Sequence, residues 1–174
     1  MEFKEIIHKR RSVRKFSDRT VPQEVIDRLL DAALVAPSSK NTRSTHFLIV
    51  TDHAAIEQIA EMRDSGSGFA KNASLVILVL GEANVDLWRE NAAISATVLQ
   101  LACVDEGLSS CWVQINDRPR SKENPAGEKA IDFLRTFLPI PADCEALCAI
   151  ASGYSDFTPA DLPPFDRAEK IIRM

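Results

Sequence analysis

Leu75-Val76-Ile77-Leu78-Val79-Leu80 is an unbroken apolar run with no alternation of polar and apolar positions. It is far shorter than the roughly 20 apolar residues a membrane helix needs. A run of this length and composition suits a central strand buried on both faces. Such a strand requires a covering layer on each side, and the flanking sequence supplies helices. Upstream, Val25, Ile26, Leu29, Leu30 and Ala33 recur at three- and four-residue spacing and predict a helix over 22–35. Thr20 offers a hydroxyl cap and Pro22 stands near the first helical position. The helix stops at Ala36-Pro37-Ser38-Ser39, where Pro37 disfavours helical geometry in the residue before it. Downstream, residues 86–105 follow a helical pattern rich in small residues, Ala92, Ala93, Ala96 and Ala102, which let a neighbouring helix approach closely. Gly107 sits where a helix C-terminus favours glycine.

Further out, Phe3, Ile6 and Ile7 mark a short helix over 2–9. His46 to Thr51 reads as a strand, and Asp52 caps a helix over 53–63. Gly66 and Gly68 place a loop at 64–68. Ser110 to Ile115 is a strand, and Ile131, Phe133, Leu134 and Phe137 predict a helix over 124–137. Ala146 to Ala151 is the last strand. The tail carries Pro159, Pro163 and Pro164, so it is unsuited to a strand interior and must lie over its own subunit or a partner. Helices and strands are mixed along the chain, giving an α+β class. Residues 1–174 read as one domain, with 154–174 as a tail.

Hydrophobic residues make up 45% and charged residues 26% of the 174, ordinary values for a globular chain. A formal net charge of −4 argues against nucleic acid as the main partner. The opening MEFKEIIHKR is charged and lacks an apolar export core, and no window is long enough to span a membrane, so a cytoplasmic location is expected. Cys103, Cys111, Cys144 and Cys148 form no C-x-x-C pair, and His8, His46 and His53 lie far from them in sequence. No metal site is expected, and the thiols read as reduced and buried. Gly-rich dinucleotide and P-loop fingerprints are absent, as is a nucleophile elbow. No carboxylate pair or Ser/His/Asp set stands out, so no catalytic side chain is assigned.

One local feature runs against the acidic background. Arg10-Arg11-Ser12-Val13-Arg14-Lys15-Phe16 packs four cations and a hydroxyl ahead of an aromatic ring. Three arginines offer forked, charge-assisted hydrogen bonds to a phosphate. Alone, the block reads equally well as a solvated basic helix end.

Together with three other segments, that block resembles the flavin-dependent nitroreductase family. It is similar to the family's R-R-S-x-R-x-F/Y opening. Ala36-Pro37-Ser38-Ser39-Lys40-Asn41 is similar to its A-P-S/T-x-x-N loop. Gly107-Leu108-Ser109-Ser110-Cys111-Trp112-Val113-Gln114 is similar to its G-L-x-S-C-W strand. Ala149-Ile150-Ala151-Ser152-Gly153-Tyr154, ahead of a double-proline tail, is the fourth. The resemblance implies a central mixed or antiparallel sheet flanked by helices, in an intertwined homodimer with FMN at the subunit interface. By position, Arg10, Arg11, Ser12 and Arg14 would meet the phosphate and ribityl chain. Pro37, Ser38, Ser39 and Asn41 would reach the flavin from the other subunit. Trp112, Val113 and Gln114 would lie along the ring, with Gly153 and Tyr154 beside it, and Arg167 in the tail would support the phosphate. The implied activity is hydride transfer from NADH or NADPH to a small-molecule acceptor, a nitroaromatic or a quinone, by a ping-pong mechanism.

The chain departs from the family pattern at three places. Arg43-Ser44-Thr45 lacks the aromatic that commonly follows the Asn, Gln114 stands where many members have Gly, and Asn91 is neutral where an acidic residue is common. Trp112 could stack near a flavin, but a strand tryptophan is more often a core residue and is read as one. Cys111 lacks a flanking cation and reads as a structural thiol, and His46 as a surface residue. Two other readings stay open at this stage. One is a non-catalytic flavin-binding or regulatory protein of the same fold. The other is an anion-binding module without flavin.

Overall fold

The computed structural model describes every residue except Phe165, and for Arg167 the backbone alone. In chain order the elements are α1 (Phe3–Lys9), α2 (Gln23–Leu34), β1 (Thr45–Val50), α3 (His53–Ala60), β2 (Leu75–Glu82), α4 (Trp88–Asp105), β3 (Ser109–Gln114), α5 (Ala130–Arg135), β4 (Cys144–Gly153) and α6 (Arg167–Lys170). Short 3₁₀ turns cover Ser39–Asn41 and Gly68–Asn72. The four strands form one antiparallel sheet in the order β1-β2-β4-β3.

The apolar run does become an inner strand. Leu75, Val76, Ile77, Leu78 and Val79 are all 0% exposed. Alternation sends Val76, Leu78 and Leu80 into a core with Ile56 and Ile59 of α3 and Ile131 and Leu134 of α5. Leu75, Ile77 and Val79 face the opposite core, where α2 supplies Ile26 and Leu29 and α4 supplies Ala92, Ala96, Leu99 and Cys103. Those α4 positions are spaced by three and four, one stripe of the helix. Near its C-terminal end β2 carries Gly81, paired with Thr45 on one side and Glu145 on the other. A Cβ there would stand 2.7 Å from Trp88 Cε3, so only glycine lets the first turn of α4 pack this closely on the sheet.

Several boundaries differ from the sequence expectation. Helix α4 starts at Trp88 rather than 86, because Leu87 adopts a left-handed φ of 59° that no helix can pass through. Helix α5 starts at Ala130 rather than 124, since residues through Gly127 close a turn on Asn124 O and Lys129 instead pairs with Pro119 in an isolated bridge. Strand β4 is longer than read and carries a bulge: Val79 pairs Cys148 while Leu80 pairs Ala146. The bypassed Leu147 turns its carbonyl toward β3 and accepts from the N–H groups of both Ile115 and Asn116. Thr20 does not cap α2, whose cap position is Pro22. Asp52 does cap α3, its carboxylate accepting from Ala55 N–H at 2.9 Å, and Gly107 takes a φ of 73° after α4.

All four cysteines are buried and free. Burial pushes the Cys103 thiol up to about 11 from an ordinary value of 9.0, and raises Cys148 for the same reason. The unfolded thiol therefore loses its proton first as pH rises. The stability that Cys103 contributes is complete below pH 9 and is lost as pH climbs from there toward 11. Between pH 8 and 10.5 the expected loss through this one thiol is about 2 kcal/mol. Urea unfolding at the two pH values measures it, and Cys103→Ser should flatten the alkaline decline by that amount.

Candidate functional site

Four sequence motifs fall at two corners of the sheet. The first corner is built on β3, an edge strand. Ser12 pairs with Ser110 in a parallel bridge, and Val13 N–H donates to Ser110 O at 3.1 Å, so the basic segment runs beside β3 as a short added strand. Ser17 N–H then donates to Tyr154 O at 2.8 Å, tying the same segment to the end of β4. Gly153 lies under Phe16: a Cβ on it would stand 3.4 Å from Phe16 Cβ and 3.0 Å from Ser74 Oγ. Residues 10–17, Ser110 and 153–154 are thus gathered in one region, and Trp112, Val113 and Gln114 run away from it along β3.

An extended backbone sends alternate side chains to opposite sides. Arg10, Ser12 and Arg14 all act on the Cys111 thiol. Burial is the larger influence and raises that thiol, while Arg14, the Ser12 hydroxyl and Arg10 pull it down. The sequence showed no cation flanking Cys111; tertiary pairing of residues about a hundred apart supplies two. Arg11 and Val13 turn the other way. They line a separate cavity of about 280 Å³ with Lys9, Leu108 and Ser109. The Arg11 guanidinium donates there to the carbonyls of His8 and Arg10, and its Nε is buried without a partner. Among the described residues, no carboxylate pairs with Arg10, Arg11 or Arg14.

Trp112 is half-buried against the α2–α4 core, and its indole N–H donates to Gln114 Oε1 at 2.8 Å. Gln114 in turn donates to Asn116 O at 3.3 Å. Val113 faces the opposite core. The Arg19 guanidinium lies 3.7 Å over the Tyr154 ring, and the Arg14 guanidinium 5.6 Å over the Phe69 ring. The Arg167 side chain lies outside the described residues.

The second corner is the loop carrying Pro37, Ser38, Ser39 and Asn41, which leads into β1. Thr45 pairs with Gly81, and Gly81 with Glu145, so this loop lies where β4 begins. The basic segment lies where β4 ends, at Ser110 opposite Ser152. Four strand spacings, roughly 19 Å, and most of the length of β4, roughly 24 Å, separate the basic segment from the loop in one chain. Beside the loop is a cavity of about 240 Å³ lined by Ala36, Ser38, Arg43, Thr45, Phe47 and Ser95. A larger cleft of about 430 Å³, between Glu61, Asp64, Arg120 and Glu128, holds none of the motif residues. The loop is tied down by Asn91 of α4, a partnership the sequence did not signal because the two lie about fifty positions apart.

The exposed apolar residues are spread over surfaces that one chain leaves uncovered. Leu34 and Val35 end α2, Ile94 lies on α4, and Phe157 and Leu162 lie on the tail, each at least 40% exposed. Among the described residues, no helix is long and apolar enough to cross a membrane.

Known proteins resemble this chain in sequence and in fold. The family model described as Nitroreductase family matches residues 7–64. The chain is 29% identical over 170 residues to a protein of Methanothermobacter thermautotrophicus provisionally named NADH dehydrogenase/NAD(P)H nitroreductase, covering 95% of this chain and 84% of that one. Its structure is similar to an FMN-dependent nitroreductase from Clostridium difficile, with a TM-score of 0.86, 33% identity, and coverage of 97% and 96%. A structure from Parabacteroides distasonis, also provisionally named NADH dehydrogenase/NAD(P)H nitroreductase, gives a TM-score of 0.87 at 28% identity, covering 99% and 98%.

Proposed function

The chain belongs to the nitroreductase family of oxidoreductases, and from that premise we propose that it uses FMN to carry hydride from NADH or NADPH to an electrophilic small molecule, a nitroaromatic or a quinone. The observation that carries this reading is the cation set against β3. Arg14 Nη1 donates to Ser12 O at 3.4 Å, Arg10 and Arg14 both stand near enough to Cys111 of β3 to pull its thiol down, and among the described residues no carboxylate pairs with either. That donor set fits a phosphate monoester, which takes forked, charge-assisted hydrogen bonds. The absence of a Gly-rich dinucleotide turn favours the mononucleotide.

When bound, FMN supplies the ring that accepts and releases hydride. The chain's own residues then have three tasks. Arg10, Ser12 and Arg14 hold the phosphate, with Arg11 turned to the neighbouring cavity and donating to backbone. Trp112, Val113 and Gln114 offer a rigid edge strand for the ring to lie along, and Gly153 and Tyr154 close that side. Pro37, Ser38, Ser39 and Asn41 complete the site from a second copy of the chain, because the two corners are too far apart within one. The exposed apolar residues of α2, α4 and the tail are the surfaces that such a homodimer would cover. Donor and acceptor occupy one face in turn, which gives ping-pong kinetics and requires no protein nucleophile.

The test is direct. FMN at about a hundred times its dissociation constant should stabilise the protein by roughly 2.7 kcal/mol. Anaerobic NADH or NADPH should bleach the bound flavin, and a quinone or nitroaromatic should restore its colour. Flavin binding without bleaching would identify a non-catalytic flavin protein. A melting temperature indifferent to FMN would remove the reading altogether.

A further inference from the structure

Asn91 is a buried polar side chain, 2% exposed, in the first turn of α4. Its amide serves the distant 38–44 loop. Oδ1 accepts from Ser39 N–H at 2.8 Å. Nδ2 lies 3.3 Å from Ser39 Oγ, 3.4 Å from Thr42 Oγ1 and 3.5 Å from Ser44 Oγ. A backbone N–H needs an acceptor, so the Ser39 bond fixes which way the amide points.

The loop it holds is strained. Lys40, Asn41 and Arg43 have φ values of 50°, 52° and 51°. Asparagine enters this left-handed region at modest cost, whereas lysine and arginine rarely do. Backbone of this kind persists only where the surroundings over-determine it. Inside the loop the restraints are local: Asn41 N–H to Ser38 O, Thr42 N–H to Ser39 O, and Arg43 N–H to Ser38 Oγ, each at 3.0 Å. Asn91 is the side chain that ties three loop residues to the helical layer at once.

We infer that Asn91 is a positioning residue: it holds the 38–44 loop in the strained shape that presents Ser38, Ser39 and Asn41 to the partner subunit's flavin. It sets flavin affinity without touching flavin, since its side chain is buried beneath the loop in the single chain. The flavin half of this inference rests on the proposed function above; the anchoring half stands on the hydrogen bonds alone.

The experiment compares Asn91→Ala with Asn91→Asp. In the flavin-free protein, Asn91→Ala should speed amide hydrogen exchange across 38–44 by about tenfold, leaving the middle of α4 around Leu99 at its wild-type rate. With FMN added, its dissociation constant should rise by about tenfold and the absorbance of bound flavin should shift. Asn91→Asp should recover most of both effects, because a carboxylate still accepts from Ser39 N–H and the three hydroxyls can turn to donate. Should Asn91→Ala fail to fold, Thr42→Val and Ser44→Ala remove partners from the loop side with α4 intact, and should loosen the same segment. Unchanged exchange across 38–44 in a folded variant would overturn the anchor. A loosened loop with wild-type FMN affinity and spectrum would overturn the positioning role. A wild-type chain that ignores FMN would overturn the flavin half together with the proposed function, and hydrogen exchange would still decide the anchor.

Discussion

A chain carrying both Arg10→Ala and Arg14→Ala is expected to bind FMN at least about a hundredfold more weakly than the wild type. Hydrogen bonds to a charged group contribute about 1.5–3 kcal/mol each, or roughly ten- to a hundredfold in affinity. Both guanidinium groups stand near Cys111 of β3, Arg14 reaches only the Ser12 carbonyl at a long 3.4 Å, and among the described residues neither has a carboxylate partner. Losing both leaves a phosphate with one hydroxyl and backbone donors. Arg11→Ala is the informative control. Its guanidinium already donates to the carbonyls of His8 and Arg10 in a different cavity, so its loss should weaken FMN far less. Arg→Lys at 10 or 14 should fall between, since a point charge replaces a fork. Titration of flavin fluorescence measures all of these. Equal losses at 10, 11 and 14 would show that the block acts only as a diffuse positive surface.

Mixing two defective subunits is expected to restore flavin binding. One chain carries Arg10→Ala and Arg14→Ala, the other Ser39→Ala and Asn41→Ala. Each homodimer has two damaged sites. In the mixed dimer one site combines both defects, and the other combines an intact basic block with an intact loop. Random reassociation should therefore recover about a quarter of all sites, from two populations that separately bind almost none. The argument is geometric: roughly 24 Å along the sheet and 19 Å across it separate the basic segment from the loop in one chain. No recovery, in a sample shown by mass spectrometry to contain mixed dimers, would mean that a single chain builds its own site.

How much of this was legible beforehand depends on the range of the interaction. Central strand β2 could be read from Leu75 to Leu80 because burial on both faces removes the need for any polar position. Helix α2 could be read from the period of Val25, Ile26, Leu29 and Ala33, and the start of α3 from Asp52. Each of these signals lies within a dozen residues. The failures were also local in origin but tertiary in cause. Helix α5 starts later than its apolar period suggests because Lys129 pairs with Pro119 instead of extending the helix, and that bridge has no periodic signature. The bulge at Leu147 exists to serve Ile115 and Asn116, more than thirty residues earlier.

The site divides the same way. The residue types for holding a phosphate were legible in Arg10, Arg11, Ser12 and Arg14, and the loop of Ser38, Ser39 and Asn41 was legible from its pattern. Their direction was not. One peptide step turns Arg11 away from Arg10 and Ser12, because an extended segment alternates its faces and Val13 must be buried. The anchoring of the strained loop by Asn91 was equally invisible, since it joins positions about fifty apart through side-chain hydrogen bonds. By itself the sequence determined the chemistry on offer: cations without acids in the basic block, a double-faced core strand, a loop of hydroxyls and an amide. The tertiary structure alone decided which of those groups share a space, because antiparallel pairing in the order β1-β2-β4-β3 sends the basic segment and the loop to opposite corners of one sheet.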